Sequence, residues 1–268
     1  MKTEKDVKYF HREDTHNLKA PGEIVPFLIE QFKPTSILDV GCGIGTFLSI
    51  FQKEGIEDIL GIDGEWVDLS KLYISRDKFK IGDLESGFDL KRKFDLILCL
   101  EVAEHLDENA ANRFIKSLTD HGDIIIFSAA LPGQGGDNHL NEKPFSYWQK
   151  KFEQYGYFFA DVFRERFWNN ENIDWWYKQN MFLVVNKSKA DTMGIKIPAK
   201  YFNDCFHPGC LHLYIYHNER LRLYAEQLRL DAEQLRLNAD LYDKIIKGKL
   251  PLTFYFKELL KKIFKTSK

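Results

Sequence analysis

Residues 36–47 read SILDVGCGIGTF, and this stretch decides the fold. A run of apolar residues ends at Asp39 and Val40, and glycines follow at 41, 43 and 45 before an apolar, helix-compatible segment. That order predicts a buried strand, a tight turn and a helix. Glycine is suited to such a turn because it takes positive φ without strain and lets backbone approach a ligand closely. The N–H groups opening the next helix favour an anionic group there. Asp63 ends a second apolar run, DILGID, 18 residues after Gly45. Nucleotide sites place an acid on the ribose at about this distance from the turn.

Outward from this turn, short apolar runs alternate with amphipathic stretches. Strands are predicted at 36–40, 58–62, 78–81, 94–100, 123–129, 157–163 and 181–185, and helices at 23–33, 45–54, 65–73, 107–118 and 144–154. Alternation of this kind predicts a parallel sheet covered on both faces, a doubly wound α/β fold. The last two strands are joined by WNNENIDWWYKQN (168–180), which shows no helical pattern. They are expected to close the sheet as an antiparallel pair. The expected organisation is an N-terminal segment and helix (1–33), the α/β domain (34–187), a linker (188–210) and a helical extension (211–268).

The G-x-G-x-G spacing differs from the G-x-G-x-x-G of dinucleotide enzymes. Asp39 to Gly45, together with Asp63, resemble the class I S-adenosylmethionine-dependent methyltransferases. The resemblance covers about residues 16–187 and implies a seven-stranded, mostly parallel, Rossmann-like sheet with the cofactor over its C-terminal strand ends. It implies that Asp83 and Leu84 flank the adenine, and that Leu100 and Glu101 pass beside the methionyl part. With His16, Asp39, Gly41, Cys42, Gly43, Gly45, Asp63 and Gly64, these residues make up the expected cofactor shell.

Methyl transfer needs in-line geometry, and an aliphatic hydroxyl acceptor also needs its proton removed or its oxygen bound to a metal. EVAEHL (101–106) follows the fourth strand and, as a helical turn, would place Glu101, Glu104 and His105 on one face. LPGQGGDNHLNEKPFSYW (131–148) follows the fifth and brings His139 to the same end of the sheet. Three alternatives stay open: His139 and Glu101 as catalytic acid–base residues, a divalent cation (Mg or Mn) on Glu101, Glu104, His105 and His139, or a structural cap. The E-x-x-E-H spacing is similar to that of metal-dependent RNA 3′-terminal 2′-O-methyltransferases and of ubiquinone-pathway O-methyltransferases.

The phrase LPGQGG…NHLNE…YW, with His16-Asn17 and Ala20-Pro21, resembles methyltransferases that modify sugars of surface glycans. A sugar or glycan precursor is therefore the expected acceptor, with another small molecule or a scaffold role as alternatives. Phe167, Trp168, Trp175, Trp176 and Tyr177 either stack on a sugar ring or pack over the sheet edge. Cys205, His207, Cys210 and His212 lie too close together in sequence to read as a zinc site.

The net charge of −2 argues against nucleic acid as a partner. Four cysteines with no paired framework, no apolar leader and no long apolar run point to a cytoplasmic protein. Residues 222–242 repeat RLYAEQL, RLDAEQL, RLNADLY, a heptad pattern that predicts either self-association through 221–242 or a helix packed on its own domain. The segment 250–268 alternates Phe256, Leu259, Leu260, Ile263 and Phe264 with lysines. It suits either peripheral contact with an anionic membrane surface or docking on a subunit.

Overall fold

The structure, a computed structural model, describes residues 17–197, 207–249, 251, 253, 254, 256 and 257. The chain divides into two compact units, 1–212 and 213–268.

The first unit is built on seven strands: β1 (Ser36–Val40), β2 (Asp58–Asp63), β3 (Phe79–Ile81), β4 (Leu96–Leu100), β5 (Ile124–Ser128), β6 (Tyr157–Ala160) and β7 (Phe182–Asn186). They form one sheet in the order β3-β2-β1-β4-β5-β7-β6. All neighbouring pairs are parallel except β5–β7 and β6–β7. This is the expected doubly wound sheet with its antiparallel closing edge. The central strands β1, β4 and β5 are buried along their whole length, as unbroken apolar runs require when helices cover both faces. The chain reverses direction of strand addition between β1 and β4, and ligands bind at the C-terminal ends of strands at such a switch point.

Helices α1 (Lys19–Phe32), α2 (Thr46–Lys53), α3 (Ala111–His121) and α4 (Phe145–Glu153) cover the sheet. One core gathers Ile24, Leu28, Phe47, Leu48 and Phe51 against Ile37, Leu96 and Leu98. The opposite core holds Phe114, Ile115, Leu118, Trp148 and Phe152 against Leu38, Ile97 and Phe127.

Three expectations need correction. The segment 65–73 is no α-helix: it has one 3-10 turn at Leu69–Lys71, and another follows at Arg76–Lys78. Val67 and Ile74 are buried on either side of the first turn, but Leu69 is exposed and Leu72 only half-buried, so no continuous buried helical stripe runs between them. The connection before β7 carries α5 (Arg164–Phe167) and α6 (Trp175–Asn180), both too short to show periodicity in sequence. The segment read as a linker opens with α7 (Lys187–Met193), capped by the Asn186 side chain and ended by Gly194 with φ +67°. Beyond it, α8 (Pro208–Ile246) is one continuous helix of 39 residues. Among the described residues, no helix is long and apolar enough to cross a membrane.

Candidate active site

The glycine turn leaves β1 with Gly41, Gly43 and Gly45 at φ +77°, +54° and +81°, conformations that L side chains rarely adopt. Gly41 also has no room for a side chain, because a Cβ there would stand 2.3 Å from Val102 Cγ2. Both Gly41 and Cys42 donate N–H to the Ile62 carbonyl, at 2.8 and 3.3 Å, so the turn is tied to the end of β2. Cys42 points its sulfur at Gly61, where a Cβ would lie only 2.5 Å away. Its thiol is buried and its pKa is pushed well up by that burial.

Asp63 completes the tie. One carboxylate oxygen accepts the Gly43 N–H at 2.7 Å and the other the Gly64 N–H at 2.6 Å. Burial raises its pKa to about 6, against the pull of these two N–H groups and the Trp66 side chain. A carboxylate has about four acceptor positions, so capacity remains for ribose hydroxyls. Asp39 lies beneath the turn and is pushed up to about 8, first by burial and then by the charge of Asp63. Leu84 is buried, whereas Asp83 is exposed and spends its carboxylate on the Glu85 N–H and the Ser86 hydroxyl, at 3.0 and 2.6 Å. Leu100 is buried at the end of β4. His16 lies outside the described residues.

The acceptor side is assembled from the ends of β4 and β5. The expected helical turn at 101–106 is a 3-10 turn over Ala103–His105, with Glu101 just before it at φ +53°. A non-glycine residue held there is strained, and such strain concentrates at functional sites. The Glu101 N–H is held by the Ser128 carbonyl at 3.1 Å and its hydroxyl at 3.0 Å. The Glu101 carboxylate accepts from Gln134 Nε2 at 2.9 Å and from Asn180 Nδ2 at 3.1 and 3.3 Å. Asn180 Nδ2 also meets Gln134 Oε1 at 2.9 Å. Burial raises the Glu101 pKa, opposed by Gln134, Ser128, Asn180 and the positive side of His139.

Glu104 is fully buried, and among the described residues neither carboxylate oxygen meets a donor in hydrogen-bonding geometry. Burial and the neighbouring Glu101 charge push its pKa well up, against the pull of the Glu104 and Ala130 N–H groups. Its carbonyl accepts the N–H groups of Leu140 and Asn141 at 2.8 and 2.9 Å, locking the 3-10 turn to the loop after β5. In that loop His139 Nδ1 meets Glu142 Oε1 at 2.8 Å, and Glu142 also takes the N–H groups of Gly133 and Gly135. With Nδ1 engaged, Nε2 is the nitrogen that can accept a proton or a cation. His105 stands edge-on to His139, with ring centroids 4.9 Å apart. Its pKa is depressed to about 4, by burial first and His139 second, so its ring is neutral at pH 7.

Glu104, His105 and His139 each offer a ligand atom, and among the described residues these atoms all lie within 4.8 Å of one another. Glu101, the fourth residue of the expected set, is instead engaged by two amides. Sequence reasoning missed those amides, Gln134 and Asn180, as well as Glu142. Gln134 and Glu142 lie inside the quoted 131–148 motif, and His139–Glu142 has i, i+3 spacing. Nothing in the local sequence marks Asn180.

The aromatic insertion divides. Phe167 enters the core against Phe27 and Phe163. Trp168, Trp175, Trp176 and Tyr177 remain half-buried, and Tyr177 meets Phe47 of α2 edge-on at 5.8 Å. His207 uses both ring nitrogens locally, on the Trp168 carbonyl and the Gly209 N–H. Cys205 lies outside the described residues.

A family model described as a methyltransferase domain matches residues 11–187. No curated protein matches the chain in sequence. Among solved structures, the methyltransferase domain of bacterial CtHen1-C is 23% identical, over 64% of this chain and 98% of that one, at a TM-score of 0.47. S-adenosylmethionine-bound CalS10, an amino pentose methyltransferase from Micromonospora echinaspora involved in calicheamicin biosynthesis, is 15% identical over 67% and 98%, at 0.50. The sugar N-methyltransferase KedS8 from Streptoalloteichus sp is 15% identical over 63% and 87%, at 0.49. These likenesses are ones of fold.

Proposed function

The chain belongs to the methyltransferase family matched over residues 11–187 and is an S-adenosylmethionine-dependent enzyme; from that premise we propose that it methylates a hydroxyl of a sugar, in a glycan or glycan precursor. The cofactor supplies an electrophilic methyl group on a sulfonium. Asp63, oriented by Gly43 and Gly64, offers its free acceptor positions to the ribose. Glu101 stands where β4 ends, between that turn and the loop carrying His139, and takes part in removing the acceptor proton together with His139 Nε2. Glu142 holds the His139 ring in place.

One observation carries the sugar assignment. Helix α6 carries the half-buried Trp175, Trp176 and Tyr177 and is tied to the site through Asn180 on Glu101 and Tyr177 on Phe47. Half-buried aromatic residues on a helix tied to a polar carboxylate site suit the apolar face and hydroxyl rim of a pyranose. The resemblance of 131–148 to glycan-modifying enzymes supports the same acceptor. Methyl transfer to nucleotide sugars and lipid-linked glycans, with none to catechols or other phenols, is the expected outcome. Activity on phenols alone overturns it.

A second reading, compatible with a sugar acceptor but taking His139 as a ligand in place of a base, is that a divalent cation activates the hydroxyl. The buried Glu104 carboxylate, with no partner in hydrogen-bonding geometry among the described residues and beside two imidazoles, is the observation that favours it. Mixed carboxylate and imidazole ligands suit Mg, Mn or Zn without selecting one. Glu104, His105 and His139 would hold the ion. Mn(II) should raise the melting temperature of the wild type and leave that of Glu104→Gln unchanged. Turnover that is indifferent to EDTA and to added Mn(II) excludes the cation.

A further inference from the structure

We propose that α8 pairs with the same helix of a second copy of this chain, as a parallel two-stranded coiled coil over residues 218–246. The seam is written in heptads. Ala225, Ala232 and Ala239 occupy one core row, called a, and Leu221, Leu228 and Leu235 the other, called d. The helix is continuous through all of them, so the two rows form one stripe about 40 Å long at 1.5 Å per residue. In the single chain the stripe is bare: Leu221, Leu228 and Leu235 are 66%, 50% and 68% exposed. Apolar a and d rows sustained over three to four heptads, flanked by charge, are the pattern of a coiled coil. The alanine row lets two backbones approach closely while leucines fill the seam.

The flanking residues select the partner and its direction. Arg222, Arg229 and Arg236 sit at e, and Tyr224 and Asp231 at g. In a parallel pair each g residue faces the e residue five positions later on the partner helix. Asp231 then meets the second copy's Arg236, and Tyr224 meets its Arg229 as a cation–π pair. In an antiparallel pair e faces e, and arginines oppose arginines. Among the described residues, Asp231 is reached in its own helix by the neutral Gln227, at 2.9 Å, which leaves its charge uncompensated there. Asn218 falls in the a row, where a single asparagine facing its copy sets register and favours two strands. The charge pattern thus complements itself.

A third leucine row, Leu223, Leu230 and Leu237, runs on the opposite side of the helix at f and lies outside the seam. This separation makes the proposal testable on the full-length protein. Sedimentation equilibrium should give twice the chain mass. Leu228→Glu combined with Leu235→Glu should return it to a monomer, while Leu230→Glu combined with Leu237→Glu should remain dimeric. Asn218→Cys should cross-link to a disulfide-linked dimer under mild oxidation, above the level seen with the parent chain's own cysteines. Circular dichroism and methyl transfer confirm that each variant is folded. A monomeric parent, a dimer that survives the d-row change, or a dimer without the Asn218→Cys cross-link overturns the parallel seam. A monomer that pellets with phosphatidylserine vesicles through its d-row leucines assigns the stripe to a membrane and overturns it too.

Discussion

The Asn180 side-chain amide donates to both carboxylate oxygens of Glu101, at 3.1 and 3.3 Å, across 79 residues of sequence. One residue ends α6 and the other follows β4, so the closing segment of the sheet sets the orientation of the carboxylate at its centre. Asn180 therefore couples the aromatic helix to the proposed acid–base group. Asn180 is fully buried and Glu101 partly buried, so water is a poor replacement for the lost amide. Asn180→Ala leaves Gln134 as the remaining amide on Glu101, and small displacements of a catalytic group are costly. We expect kcat to fall roughly 10- to 100-fold. Affinity for S-adenosylhomocysteine, measured by calorimetry, should stay at the wild-type level because the glycine turn is untouched.

Asp63→Asn tests the cofactor half of the site separately. The amide keeps the size of the carboxylate but offers one acceptor oxygen and carries no charge. Hydrogen bonds to charged groups contribute about 1.5–3 kcal/mol, so S-adenosylhomocysteine should bind roughly 10- to 100-fold more weakly. Calorimetric titration reads this directly. Unchanged affinity would remove Asp63 from the ribose.

Gly41→Ala should destabilise the fold as well as the cofactor turn. Its Cβ would overlap Val102 Cγ2, and its φ of +77° is unfavourable for alanine. A loss of about 1–3 kcal/mol is expected for overpacking of this kind. Val102→Ala removes the colliding methyl groups and leaves the φ penalty. The double variant should therefore recover part of the denaturation midpoint lost in Gly41→Ala, and a strictly additive pair would contradict the contact.

The pH dependence of stability should carry the mark of Asp39. Its folded pKa of about 8 exceeds the ordinary value of 3.8, so the folded state retains a proton that the unfolded chain releases. Stability is then greatest below pH 4 as far as this group is concerned, and is lost as pH rises toward 8. Asp63, raised to about 6, acts in the same direction up to that pH. In the cofactor-free protein, Asp39→Asn should flatten the fall in melting temperature between pH 6 and 8. An equal slope in wild type and variant would show that Asp39 is ionised in the fold.

The fold and the cofactor turn were legible in sequence for a local reason. Unbroken apolar runs such as ILDV and LILCL can be buried on both faces only in a covered parallel sheet. Gly41, Gly43 and Gly45 announce positive φ directly. The short helices α5 and α6 were illegible because four and six residues hold too little of a helical period to register. The helix expected over 65–73 erred in the other direction, since its apolar residues anchor two 3-10 turns.

The chemistry of the acceptor side divides along the same line. Residue types and spacing alone singled out Asp39, Asp63, Glu101, Glu104, His105 and His139, because glycine turns and carboxylate–imidazole clusters are written within a few consecutive residues. Tertiary structure decided what each group meets. It put Glu101 in a left-handed conformation with Gln134 and Asn180 on its carboxylate, and it buried Glu104 beside two imidazoles with no partner in hydrogen-bonding geometry among the described residues. Those contacts join segments remote in the chain, and hydrogen bonding depends on distance and angle in space, which sequence spacing does not encode.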